Sequence, residues 1–311
     1  MITSVALNPS IDLTLFIPEL IGGGTFRAEN TRRDIAGKAV NTVCALKNMD
    51  IPVRLLGFDF VENGGLLKDA LKEAGIPYDL VAAPGAIRTN IKIFEEKSSR
   101  ITEINQRGSA VSQEAVSALL EKIIHTKTDV LTLSGSLPPG VDSGVYSEII
   151  KRVSAPVILD ADGPALYNGI KEGPFIIKPN IREMEQTFGV SLPSQGAQIS
   201  VSRALLRRYD GLRAICLSLG EEGAMMIGRD DAYFSPALDI PVRGVQGAGD
   251  SMVAGLAAEL YRDKNAPLDI LLKAAMAAAA AKLIHEGSVV GSGEDFLAMT
   301  DKVKVLEIKS T

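Results

Sequence analysis

The chain has 311 residues, with 33 Lys and Arg against 38 Asp and Glu and a net charge of −5. Its 46% hydrophobic and 23% charged residues are the balance of a folded globular protein and exclude a disordered chain. The small acidic excess supplies no overall attraction for nucleic acid, so no nucleic-acid partner is expected. Cys44 and Cys216 both lie in apolar runs and read as small buried hydrophobes, too few for a disulfide framework. The longest apolar run, Ala274 to Ala281, falls far short of the roughly 20 residues that span a bilayer. With no basic, cleavable start either, a cytoplasmic protein without a membrane partner is expected.

Along the chain, short apolar runs alternate with helical stretches. Ile2 to Leu7 reads as a strand, Ala39 to Met49 as a helix, Val53 to Phe58 as a strand, and Val61 to Ala74 as a helix stopped by Gly75. Then come helix Gln113 to His125, strand Val130 to Leu133, helix Val145 to Val153, strand Val157 to Leu159 and strand Phe175 to Ile177. Helix Asn180 to Phe188, a helix holding Leu205 and Leu206, and strand Ala214 to Leu217 follow, and from Asp250 onward the chain reads as almost wholly helical. This alternation predicts an α/β fold, a mostly parallel central sheet covered by helices on both faces. Leu13 to Arg33 and Tyr78 to Asn105 break it with strand-like runs lacking a helical period. They predict a small extra sheet, formed by about 13–33 and 78–105, as a lid, a dimer surface or an ordinary sheet edge of one domain over 1–311.

Val245-Gln246-Gly247-Ala248-Gly249-Asp250-Ser251 joins a loop to a long helix. The small residues Gly247, Ala248 and Gly249 let a polyphosphate approach the backbone, and the free N–H groups of the helix start face it. Asp250 then either caps the helix or takes a proton from an alcohol attacking the γ-phosphorus. A dinucleotide fingerprint fails for want of its third glycine, which argues against a nicotinamide dehydrogenase, and no Walker A loop exists. His125 and His285, the two histidines, lack adjacent acidic partners, so neither a serine triad nor a zinc site is expected.

With that motif, six further segments resemble the PfkB (ribokinase-like) carbohydrate kinases over essentially the whole chain. They are Leu7 to Asp12, Gly37 to Asn41, Arg88 to Lys92, Thr102 to Asn105, Ser134 to Gly140 and Lys178 to Glu183. The Ser-Gly-Ser-Leu-Pro-Pro-Gly stretch is characteristic of the sugar-phosphate branch, which contains 1-phosphofructokinase and tagatose-6-phosphate kinase. The resemblance implies a ribokinase-like three-layer sandwich with a small β-sheet lid, a homodimer formed through that lid, ATP and Mg²⁺ as cofactors, and Asp250 as the base.

The other candidate residues carry two readings each. Asp12 follows the first strand, where it grips sugar hydroxyls or makes a turn. Gly37 and Lys38 suit a phosphorylated sugar, Lys38 reading otherwise as a solvated lysine, and Asn41 offers a donor and an acceptor to a hydroxyl. Arg88, Asn90 and Lys92 share one strand face, as a phosphate clamp or a solvated polar face. Arg27 would add a cation from the lid of this chain or a neighbour. Ser136 lines the sugar pocket, and Asn105 joins the substrate set through the resemblance. Asn180 and Glu183 form a capping box, and the resemblance adds a water-mediated Mg²⁺ role for Glu183. Lys178, Asn180 and the turn with Ser218, Gly220, Glu221 and Gly223 are implied at the nucleotide; the turn reads equally well as a hairpin.

Two departures from the family pattern stand out. Ala36 and Ala39 replace glycines, and Gly244 and Val245 replace polar residues ahead of the motif, which bears on any monovalent-cation contact. The expected reaction is ATP-dependent phosphorylation of the free primary hydroxyl of a ketohexose monophosphate. Fructose 1-phosphate is the first choice and tagatose 6-phosphate the second. A catalytically weak sugar-phosphate sensor is the other class.

Overall fold

The computed structural model describes residues 1–287 and 289–309. In chain order, β1 (Ile2–Ala6) leads through β2 (Ser10–Ile17) and β3 (Asn30–Ala36) to α1 (Lys38–Asn48) and β4 (Val53–Phe60). Next come α2 (Gly64–Glu73), β5 (Tyr78–Ala83), β6 (Arg88–Glu95), β7 (Arg100–Asn105) and α3 (Gln113–His125). The middle of the chain forms β8 (Val130–Ser134), α4 (Val145–Arg152), β9 (Val157–Asp160), α5 (Gly163–Gly169), β10 (Ile176–Ile177) and α6 (Ile181–Phe188). It ends with α7 (Gln195–Arg208), β11 (Ala214–Ser218), β12 (Gly223–Ile227), β13 (Ala232–Pro236), α8 (Ala248–Arg262), α9 (Leu268–Leu283), α10 (Gly293–Thr300) and β14 (Leu306–Glu307).

Among these residues one sheet runs β14-β13-β12-β11-β10-β9-β8-β1-β4-β5. It is parallel from β11 to β5, with an antiparallel edge of β12, β13 and β14. The central parallel strands β1, β8 and β9 are buried on both faces, which is why they read as continuous apolar runs. Helices α1, α8 and α9 pack together, as do α3, α4 and α5. Right-handed crossovers leaving β1 toward β4 and returning from β5 to β8 put these groups on opposite faces. The strand order reverses beside β1, and open parallel sheets bind ligands at such a point, beyond the strands' C-terminal ends.

A separate four-stranded sheet has the order β3-β2-β6-β7 and projects from the body. The Tyr78 to Ala83 part of the expected small sheet lies elsewhere: β5 pairs parallel with β4 as the edge of the large sheet. A short link from Ala83 to Arg88 then carries the chain into the small sheet, so the change of sheet falls inside one run of strand-forming residues. The small sheet also starts earlier than expected, at Ser10, so Asp12 lies within a strand rather than in a turn. The helix expected from Val61 starts at Gly64, and β14 follows the last helix of the C-terminal part. No helix among the described residues is long and apolar enough to cross a membrane.

Candidate active site

A pocket of about 160 Å³ opens at the switch point, between the ends of β1, β8 and β9 and the start of α1. Asn8, Gly37, Lys38, Arg88, Ser136 and Glu183 contribute to its wall. Gly37 precedes α1 at φ 119°, a left-handed value suited to glycine, and a Cβ there would press on Pro9 Cα at 3.2 Å. The pocket is thus bounded by backbone where the chain turns into a helix. Ala36 and Ala39 are 1% and 2% exposed, so their methyl groups face mainly inward, although Ala39 also touches the wall.

Lys38 reaches across the pocket floor to Asp160, with Nζ 3.1 Å from Oδ1, and lies 3.6 Å from Glu183 Oε1. Lys178 Nζ is 3.2 Å from the same Asp160 oxygen. The sequence reading missed Asp160, which ends β9. The available signal was a lone carboxylate closing the apolar run Val157 to Leu159 at a parallel strand's C-terminal end. Two ammonium groups hold the Asp160 carboxyl below the usual carboxylate range despite its complete burial.

Across from this triad, Gly247 adopts φ 78° and starts α8. Asp250 lies in that helix's first turn, 8% exposed. It is not in the pocket wall itself. Asn41 Nδ2 donates to Asp250 Oδ2 at 2.7 Å, and Thr42 Oγ1 donates to Asp250 O at 3.3 Å. These bonds join the starts of α1 and α8. Burial, reinforced by the nearby Asp160 charge, raises the Asp250 carboxyl from 3.8 to about 6, while Asn41, Lys38 and Lys178 pull the other way. Such a carboxyl is ionised at neutral pH yet basic enough to accept a proton, as a general base requires. The helix-capping alternative fails, because Asp250 caps no N–H of α8. A Cβ on Gly249 would lie 3.4 Å from Lys178 Nζ, so that ammonium sits beside the glycine bend.

In the lid, Asp12 is 5% exposed. Its Oδ1 accepts from Ser10 Oγ and Asn90 Nδ2, both at 3.0 Å, and its Oδ2 accepts from Lys92 Nζ. Lys92 also donates to Gln246 Oε1 at 2.7 Å, and Gln246 Nε2 donates to Glu103 Oε1 at 2.9 Å. Gln246, not singled out from the sequence, therefore ties the small sheet to the loop ahead of α8. The two-cation clamp expected from the Arg88, Asn90 and Lys92 alternation is not assembled. All three share a face, but Asp12 draws Lys92 away, leaving Arg88 as the lid cation in the pocket wall. Arg88 bonds to Asn8 O at 3.3 Å and Gln106 O at 3.2 Å.

Arg27 is exposed in the loop between β2 and β3 and does not line the pocket. Asn105 is exposed at the end of β7, in register with Asn90. Ser136 is exposed and accepts from Asn8 Nδ2 at 3.2 Å. Asn8 was not singled out either. Its Oδ1, with Asn90 Oδ1, Ser134 Oγ and Asp160 Oδ2, is a buried oxygen lacking a hydrogen-bond partner. Such atoms are rare in folded proteins, and two of the residues, Asn8 and Ser134, line the pocket.

Asn180 and Glu183 form the expected capping box, each N–H bond being 2.8 Å. The Ser218 to Gly223 segment is the expected turn between antiparallel β11 and β12. Gly220 and Gly223 both have positive φ, and a Cβ on Gly223 would strike Ser235 O at 2.1 Å. No group of three or more His, Cys, Asp or Glu among the described residues could hold a metal ion alone. Glu183 Oε2 is committed to its capping bond, and Oε1 faces Lys38. This donor set fits only an ion carried mainly by a ligand's own phosphates and by water.

The chain is 32% identical over 270 residues to the 1-phosphofructokinase of Xanthomonas campestris, covering 84% of each. It is 30% identical to that of Escherichia coli K12, covering 92% of each, and 28% identical to that of Bacillus subtilis over 99% of this chain and 100% of the other. Phosphofructokinase-2 of Escherichia coli, solved in complex with potassium, shares the fold with a TM-score of 0.90 at 22% identity, over 96% of this chain and 98% of the other. The sequence pattern of the pfkB family carbohydrate kinases matches residues 4–292, and the chain belongs to that family.

Proposed function

We propose that the protein transfers the γ-phosphoryl group of ATP to the free primary hydroxyl of a ketohexose monophosphate, with fructose 1-phosphate giving fructose 1,6-bisphosphate. The observation that carries this reading is the buried Asp250 carboxyl, held by Asn41 in the first turn of α8 behind the Gly247 to Gly249 bend. The 1-phosphofructokinase relatives support the choice of sugar.

In this reading Asp12, held by Asn90 and Lys92, accepts hydrogen bonds from the sugar's hydroxyls. Arg88 and Lys38 take its phosphate. The hydroxyl gives its proton to Asp250 as its oxygen bonds to the γ-phosphorus. The bond from that phosphorus to the β,γ-bridging oxygen breaks, and ADP leaves. Backbone N–H groups at Gly247, Ala248 and Gly249, with Lys178 beside them, stabilise the charge that develops. The nucleotide lies along Asn180 and the Ser218, Gly220, Glu221 and Gly223 turn. Mg²⁺, when bound with ATP, supplies charge neutralisation on the phosphates.

A second copy of this chain covers the lid, whose outer strand β7 exposes Ile101 and Ile104 at its free edge. A reaction that consumes ATP suits a cytoplasmic enzyme. An ADP-release assay on fructose 1-phosphate, tagatose 6-phosphate, fructose 6-phosphate and the free sugars tests the proposal. The highest kcat/KM is expected with fructose 1-phosphate. Turnover of unphosphorylated sugars alone would refute the roles of Arg88 and Lys38, and binding without turnover would make the protein a sensor.

A further inference from the structure

Lys282 is a wholly buried cation in the otherwise Ala-rich helix α9. No carboxylate pairs with it among the described residues. Its Nζ donates to His285 O at 3.1 Å and Gly244 O at 3.4 Å, and its neighbouring charges are the cations Arg32 and Lys92. A buried ammonium without a counter-ion is costly, and it persists only where surrounding dipoles compensate.

The two carbonyls belong to the two loops that back the glycine bend. Arg243 N donates to Leu283 O at 2.8 Å, fastening the first loop to the end of α9 from which the second departs. A Cβ on Gly244 would come within 2.8 Å of His285 O, so glycine lets both carbonyls approach one cation. A Cβ on Gly247 would lie 3.6 Å from Lys282 Cε, which places the lysine stem directly behind the first residue of the bend. Two backbone carbonyls converging on one buried positive charge are the kind of oxygen ligand a bare monovalent cation takes. Here the cation is tethered to α9.

We infer that Lys282 is a built-in monovalent cation: its ammonium holds the 243–247 and 284–287 loops together behind the anion-binding start of α8, so phosphate binding and turnover need no added potassium or ammonium. Lys282 touches no reacting atom and is a positioning residue. The inference rests on the kinase reading above for turnover, but its phosphate-binding part does not depend on the sugar. Pulled down to about 8 by burial and by Arg32 and Lys92, the amine still carries its proton at neutral pH.

The test uses the full chain in potassium-free buffer with tetramethylammonium as the counter-ion, an ion too large for the site. The native chain is expected to bind a non-hydrolysable ATP analogue with Mg²⁺, and to turn over, equally well with and without potassium chloride. Lys282→Met, which keeps the stem and removes the charge, is expected to bind the analogue about tenfold more weakly. Its kcat should fall ~10- to 100-fold, the scale of a mispositioned site, with the sugar KM changed less than about threefold. Lys282→Ala should lose as much and recover several-fold when ammonium, methylammonium or potassium is added. A purely structural lysine would not produce that rescue.

A native chain whose analogue binding or turnover requires added potassium overturns the inference. So does a folded Lys282→Met variant with unchanged analogue binding. Should the variants fail to fold, the native chain's potassium independence still decides. If no sugar phosphate is turned over by the native chain, the substrate reading fails while analogue binding continues to test Lys282.

Discussion

Replacing Asp250 by Asn is expected to make the protein more stable and nearly inactive at the same time. The folded carboxyl is raised from 3.8 to about 6, so the native state binds its proton more tightly than the unfolded chain does. Stability therefore falls as pH rises through the window between those values, and the full penalty applies above about pH 6. A rise of that size corresponds to about 3 kcal/mol, at roughly 1.4 kcal/mol for each tenfold change in proton affinity. The amide introduced by Asp250→Asn carries no charge and keeps an oxygen for Asn41 Nδ2. At about pH 8 the variant should therefore gain up to about 3 kcal/mol, or roughly 5 °C in Tm for a chain of this size. At about pH 4 the native carboxyl is largely protonated and the gain should largely vanish. Thermal melts at the two pH values, beside an ADP-release assay, read both effects. Loss of a general base costs roughly 10²- to 10⁴-fold in kcat. A variant that gains no more over the native chain at the higher pH than at the lower would show that the carboxyl is not strained by burial. Turnover within about tenfold of native would refute its role as base.

The same carboxyl should impose an acid limb on kcat/KM of the native enzyme, falling about tenfold per pH unit below about 6; a rate flat down to about pH 5 would contradict it. Asp160→Asn removes the shared partner of Lys38 and Lys178, leaving two ammonium groups near one neutral amide. It should cost ~3–5 kcal/mol in urea unfolding. In protein that remains folded the acid limb should move to lower pH, because Asp160 is one of the groups that raises Asp250. Arg88→Ala takes the lid cation out of the pocket wall. The KM for a sugar phosphate should rise at least about tenfold with kcat changed far less, as expected for lost charge-assisted hydrogen bonds; an unchanged KM would remove Arg88 from phosphate binding.

Local chemistry made much of this protein legible from the sequence. The alternation of apolar runs and helical periods placed α3 at its observed bounds, and the Asn180 and Glu183 pair marked the capping box that starts α6, because such signals act over a few residues. The glycine bend before Asp250 was legible for the same reason: a loop of small residues feeding a helix is a local pattern. Tertiary structure alone decided which charges meet. Strand alternation puts Lys92 in a phosphate clamp or on a solvated polar face, yet its partner Asp12 lies 80 positions away; Asp160 and Lys38 are separated by 122, and Asn41 and Asp250 by 209. Nothing in a strand's period states which carboxylate a distant lysine will find. Tyr78 to Ala83 and Arg88 to Glu95 look alike as sequence, but neighbours brought by the fold sent one to the large sheet and the other to the lid. Lys282 illustrates the limit most sharply: by pattern it ends an alanine-rich helix, and only the fold, bringing the Gly244 carbonyl beside that of His285, makes it a buried cation behind the site.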